Sequence, residues 1–231
     1  MTNTLLMSWT IVLFLVILTV VFRKRVAAVP GGLQNIIEII IENLLKFIES
    51  VTHSRGQAKK FFPLVATIFI FVVLSNWIEI VPGLGTIGIY EKHNGRQVLV
   101  PFIRSASADL NVTLAIAIVS VMAIQIFGIA ALGLLKYGKK FINFKGPIEF
   151  FVGILELVSE AAKMVSFSFR LFGNIFAGEV LLTVILFLAP FIIPLPFLFL
   201  EIFVGFIQAL VFSMLTLVFL QMATVSHDAH H

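Results

Sequence analysis

An arginine inside an apolar stretch needs a reason, and 164-MVSFSFRLFGNIFAGEVLL-182 contains one at Arg170. Glu156 and Lys163 precede it at intervals of seven residues, so on a helix all three share a face. Asn174, one turn on, extends that face, and Glu179 lies obliquely beyond. Later in the chain Glu201 and Gln208 are again seven apart. Ionisable groups at membrane depth mark ion paths, proton relays or paired charges. A desolvated carboxylate can take up and release protons near neutral pH. Arginine stays protonated and cannot relay them. Carboxylates on either side of a fixed cation therefore point to proton handling divided by a positive barrier.

Such groups need a membrane around them, and the composition supplies it. Of 231 residues, 60% are apolar and 12% charged, and mean hydropathy is +1.10. Soluble domains carry about twice that share of charge. The reading is an all-α polytopic membrane protein whose 25 Phe suit lipid-facing and helix–helix surfaces. The net charge of +4 comes from Lys and Arg clustered beside apolar runs, so it is loop bias and not a nucleic-acid footprint. The chain has no Cys and no Gly-rich phosphate loop, HExxH or GxSxG. No cofactor, metal or nucleotide site and no self-contained soluble catalytic domain is expected.

The elements follow from the hydropathy pattern. Residues 5–22 form a first span, followed by Arg23-Lys24-Arg25. Positive charge after the apolar run, and not before it, suits a retained span better than a cleaved signal. Within 30–53, Ile36, Ile37, Ile40, Leu44, Leu45, Ile48 and Val51 follow helical spacing, opposite Asn35, Glu38, Glu42, Lys46 and Glu49. This is an amphipathic surface helix whose acidic polar face suits partner protein better than anionic lipid. Residues 61–81 and 109–135 are two further spans, joined by a polar loop at 82–105. Ser107 or Asp109 can cap the latter span, and Asn111 and Thr113 lie in its first turn. A long helix at 148–188 would measure about 60 Å, twice the hydrocarbon thickness. It must tilt steeply or break near Gly173–Gly178. Prolines 190, 194 and 196 force a turn before a last helix at 197–223. The whole is one membrane domain of five membrane-crossing helices plus the surface helix, ending in a long, steeply tilted helix hairpin.

Basic loops at 23–25, 55–60 and 136–145 place the N-terminus outside, and parity then puts the C-terminus in the cytoplasm, or outside if the long helix were two spans. Lys92, Arg96 and Arg104 in the outer loop weaken that bias. Glu156 then lies toward the cytoplasm, Arg170 near mid-depth, and Glu179 and Glu201 toward the outside, with Gln208 near the level of Arg170. The layout reads as two half-channels separated by a cation. A carboxylate on a moving partner would pass Arg170, gaining a proton on one side and losing it on the other. Each proton is worth about 2.3 kcal/mol per 100 mV. Gly173, Ala177, Gly178, Gly205 and Ala209 would let helices approach closely.

The string 170-RLFGNIFAGE-179, with 208-QALVF-212 and 109-DLNVT-113, resembles subunit a of the F-type ATP synthases, and the order of elements matches over nearly the whole chain. The resemblance implies that Arg170 is the arginine facing a carboxylate of a c-ring of membrane proteolipids. It implies that Glu156 serves the release side, and that Asn174, Glu179 and Gln208 surround the arginine and the uptake channel. It favours one tilted helix over two short spans. It also implies peripheral-stalk b subunits as partners, a bilayer such as the bacterial plasma membrane, and ATP chemistry residing on other subunits. One departure stands out. Some relatives pair a Glu and a His at the positions of Glu179 and Glu201, whereas both are Glu here, so two carboxylates must share protons.

Plainer roles compete. Arg170 could be a structural ion pair with Glu179 or Glu201, and Glu156 could snorkel to the surface. Asn174 and Gln208 could be interhelical hydrogen-bond glue. Lys163 is read as a charge partner of Glu156 or Glu160. His227, His230 and His231 read as a polar tail. From other classes, a proton-coupled secondary transporter would need a substrate cavity and usually internal repeats, and no repeat is visible. A purely structural scaffold would leave Arg170 replaceable.

Overall fold

The architecture was taken from a computed structural model, which describes residues 3–25, 31–80, 88–93, 96–101, 104–138, 140–141 and 146–224. The protein is an all-α polytopic membrane protein. Among the described residues, five helices are long and apolar enough to cross a bilayer: α1 (Asn3–Arg25), α3 (Arg55–Trp77), α4 (Leu110–Leu132), α6 (Pro147–Leu188) and α7 (Pro194–Thr224). Between them lie α2 (Gly32–Thr52) and a short α5 (Leu134–Gly138). The loop between α3 and α4 also carries an antiparallel hairpin, β1 (Gly88–His93) and β2 (Arg96–Pro101), in register Gly88↔Pro101 to His93↔Arg96. The polar-loop reading of 82–105 passed over it. Its signal is Asn94-Gly95, a dipeptide suited to a two-residue hairpin turn; those two residues lie outside the described set, as do His227, His230 and His231.

Local chemistry sets the boundaries. His53 ends α2 in a left-handed conformation (φ 51°), and its N–H bonds Glu49 O at 2.9 Å. Asp109 caps α4 by accepting from the Asn111 N–H at 2.9 Å. Gly133, with φ 84°, separates α4 from α5. Pro147 opens α6 at a position where its missing N–H costs nothing. The same tolerance lets α7 start at Pro194, ahead of the expected 197, with Pro196 inside its first turn. No break occurs at Gly173 or Gly178, so α6 runs 42 residues unbroken.

Helices α3, α4, α6 and α7 form the packed centre, with α2 lying on α3 and α7 and α1 attached through α3. One apolar cluster joins Val72, Ala117, Phe167, Leu171, Ile175 and Phe212; a second joins Ile48, Phe61, Val65, Ile124, Tyr137, Leu217 and Leu220. The outward faces stay apolar, as in Ile154, Phe169, Val184 and Phe203. Lipid is the solvent those faces require. At Gly205 a Cβ would meet Asn76 Cβ at 3.1 Å. The missing side chain lets α3 and α7 touch, with Asn76 Nδ2 donating to Gly205 O at 2.9 Å and Trp77 Nε1 to Ile202 O at 3.0 Å.

Candidate functional site

Arg170 lies on the exposed face of α6. Its recorded contact is weak: Nη2 reaches Ser166 Oγ at 3.4 Å. Among the described residues no carboxylate pairs with it, and Glu179 is held by Arg104 instead. Ser166, Gly173 and Ala177 flank it on the same exposed face, and a Cβ at Gly173 would meet nothing within 4 Å. A guanidinium therefore sits on an open stripe of small residues.

Toward the C-terminal half of α6 a polar cluster forms. Arg104, just ahead of α4, grips Glu179 with Nε on Oε1 and Nη2 on Oε2, both at 2.9 Å. Fork geometry of this kind is the strongest carboxylate contact a side chain makes. Glu201 of α7 is 8% exposed, and its Oε1 lies 3.0 Å from where a Cβ of Gly178 would be. Glu201 thus presses against the α6 backbone one residue from Glu179. Asn174 Nδ2 donates to Gln208 Oε1 at 2.7 Å, linking α6 to α7. Five buried atoms on α3, α7 and the segment before α4 have no protein partner among the described residues: Ser75 Oγ, Asn76 Oδ1, Ser107 Oγ, Glu201 Oε2 and Gln208 Nε2. Buried polar groups in such numbers are ordinarily satisfied by water. Ser105 Oγ donates to Ser75 O at 2.9 Å, fixing the segment that carries Arg104 and Ser107.

Asp109 borders this cluster. Burial by itself would raise its carboxyl, but donation from Thr4 Oγ1 at 2.7 Å, two contacts from Asn111 and the nearby Arg104 charge outweigh it. The result lies below the ordinary value of 3.8. Thr113 shares a hydrogen bond with Ser168 of α6 at 3.0 Å. Asp109, Asn111 and Thr113 accordingly cap and dock α4.

A second cluster lies toward the N-terminal end of α6. Lys140 Nζ meets Glu156 Oε1 at 2.7 Å and Glu160 Oε1 at 3.6 Å, and Lys163 Nζ meets Glu160 Oε1 at 2.8 Å. Lys163 also sits over the Phe219 ring, 4.6 Å from its centroid. It turns toward α7, away from the face that heptad spacing gives Arg170. Between the clusters Arg170 stands alone, about 21 Å along the helix from Glu156 and about 14 Å from Glu179.

A family model described as "ATP synthase A chain" matches residues 5–221. The chain belongs to the ATP synthase A chain family. Relatives named "ATP synthase subunit a" cover nearly its full length. The protein of Campylobacter jejuni subsp. jejuni (strain 81-176) is 37% identical over 223 residues, 95% of this chain and 89% of the relative. That of Citrifermentans bemidjiense is 33% identical, covering 93% and 84%. That of Trichlorobacter lovleyi is 30% identical, covering 95% and 86%.

In this member of the ATP synthase A chain family, sequence reasoning missed four participants. Arg104 was weighed only as loop charge and Lys140 only as part of a basic loop. Glu160 entered only as a possible neighbour of Lys163, although it lies four residues after Glu156. Asn76, inside the apolar run 71-FVVLSNW-77, was the one available signal for the α3 contribution.

Proposed function

We propose that this chain is the proton-translocating stator subunit of a rotary ATP synthase. Protons reach a c-ring carboxylate through a half-channel formed by the Glu179–Glu201 cluster and leave through one formed around Glu156. Arg170 prevents a direct shortcut between them. The observation that carries the reading is Arg170 itself: an exposed guanidinium, without a carboxylate partner among the described residues, on a stripe of small residues between two polar clusters. A passing carboxylate would find its charge partner there, and the small residues would let its helix come close. Opposite charge at that point holds the passing carboxylate ionised, so it must give up its proton before passing and take a new one after.

Asn174 and Gln208 line the approach to Arg170, and Gln208 keeps Nε2 for water or the incoming carboxyl. The chain itself performs no ATP chemistry. Its partners are the c-ring, the peripheral-stalk b subunits and the bilayer, probed from an N-terminus outside and a C-terminus in the cytoplasm.

Crosslinking tests this reading. The chain has no cysteine of its own, so Ala177→Cys introduces the only thiol on the Arg170 stripe. It is expected to form a disulfide with a cysteine placed near the mid-span carboxylate of a copurifying small proteolipid. Ile175→Cys, on the buried face at 3% exposure, is expected to form none. Equal crosslinking from both positions, or from neither, contradicts the proposal.

A further inference from the structure

Glu160 has no task in the path just described. It is 7% exposed, and its Oε2 has no protein partner among the described residues. Its Oε1 is held by Lys163 at 2.8 Å and lies 3.6 Å from Lys140, whose Nζ is 2.7 Å from Glu156. Four groups thus form a row of alternating sign: Glu156, Lys140, Glu160, Lys163. Its two carboxylates differ in burial: the Glu160 side chain is 9% exposed, against 31% for Glu156, with Lys163 at 19% and Lys140 at 27%.

We infer that Glu160 is a second proton-carrying carboxylate on the release side of Arg170, exchanging its proton with Glu156, and that Lys140 is the positioning residue that alternates between them. This rests on the stator reading above. One ammonium between two carboxylates links their charge states. With the proton on Glu160, Lys140 would serve Glu156 through the 2.7 Å contact. With the proton on Glu156, a shift of under about 1 Å brings Lys140 within hydrogen-bond reach of Glu160. The proton leaves one carboxyl oxygen and joins the other, directly or through one water, and the net charge of the row is unchanged. No other bond forms or breaks.

Lys140 suits this part chemically. It is a compact charge on a flexible stem. Burial alone would favour its neutral amine, but the Glu156 contact outweighs that and raises it above the ordinary lysine value. It therefore remains a cation and positions protons without carrying them. Among the described residues, Lys163 on α6 and Tyr137 on α5, whose hydroxyl bonds Gln125 of α4, are further titratable groups beside the pair. The α7 neighbour is the Phe219 ring.

The test uses membrane vesicles holding the complete complex, with protons as the probe and fluorescence quenching as the readout. Glu160→Gln is expected to slow proton transport by about 100-fold, and Glu160→Asp to keep most of it. Glu160→Gln/Lys163→Gln separates transport from structure, because it removes the lysine stranded by the single change. The relay predicts that transport stays slow in the double variant, whereas a structural ion pair predicts recovery. Should either Glu160 variant fail to assemble, Lys140→Gln decides: slowed transport with an altered dependence on pH at the Glu156 side supports the relay, and an unchanged rate and profile overturns it. Absence of proton transport in wild-type vesicles would instead sink the stator reading. Wild-type transport alongside an assembled, fully active double variant would sink the relay alone.

Discussion

Arg104 and Glu179 hold each other through two parallel contacts, Nε to Oε1 and Nη2 to Oε2, each at 2.9 Å. The pair ties the segment before α4 to the C-terminal half of α6 and commits Glu179 to a fixed cation. Glu201 beside it has an Oε2 without a protein partner among the described residues. Two carboxylates of the same type are thereby made unequal, and in the function proposed above Glu201 is the one left to exchange protons. Removing Arg104 erases the difference. Arg104→Ala is expected to lower proton-driven ATP synthesis by about tenfold, which corresponds to ~1.4 kcal/mol. Arg104→Lys, which keeps the charge but loses the fork, is expected to fall between. Synthesis rates in vesicles with matched amounts of complex measure this.

Close approach at Gly178 gives a second prediction. A methyl there would sit 3.0 Å from Glu201 Oε1 and would displace that carboxyl, whereas one at Gly173 meets nothing within 4 Å. Gly178→Ala is expected to impair proton uptake while the subunit still inserts. Gly173→Ala is expected to leave the fold of the subunit itself unaltered. Thermal stability of the purified complex, together with transport, distinguishes the two sites; the reverse pattern contradicts the packing described.

Asp109 makes a pH-dependent contribution whose sign is fixed by its environment. Its carboxyl lies below the ordinary value of 3.8 in the folded chain. Its contribution to stability is therefore complete above the unfolded value and is lost as pH falls through the folded one, in the acid range below about 3.8. Asp109→Ala removes that dependence together with the α4 cap and the Thr4 contact, and is expected to cost about 1 kcal/mol. Asp109→Asn keeps capping ability and is expected to cost less. Unfolding of the detergent-solubilised complex as a function of pH measures both.

The link between Asn174 and Gln208 yields a smaller effect. Gln208→Leu strands Asn174 Nδ2 and is expected to cost about 0.6–2 kcal/mol of helix association. Gln208→Glu preserves an acceptor and is expected to retain the link. Comparing assembly of the two variants with proton transport separates the glue function from any role beside Arg170.

Much of this was legible before any coordinates. Apolar run lengths and loop charges gave five crossing helices, and the cost of burying Arg170 flagged the site. Seven-residue spacing reached its limit at Lys163. A helical wheel assigns a side of the helix, but a four-carbon stem can turn, and Lys163 turns to Glu160 and the Phe219 ring. The reach of Arg104 to Glu179 spans 75 positions, and no local pattern encodes such a contact. The partnership of Lys140 with Glu156 was hidden for the same reason. The hairpin at Gly88–Pro101 was masked by the glycines and charges that made its loop look irregular.

The central claim is that Arg170 separates two proton paths while letting a partner's carboxylate pass. The most direct measurement is proton-driven ATP synthesis, with passive proton leak, in membranes carrying Arg170→Ala. Loss of synthesis with the complex assembled and the leak retained or increased is the predicted result. Coupled synthesis surviving at the wild-type rate would contradict the account.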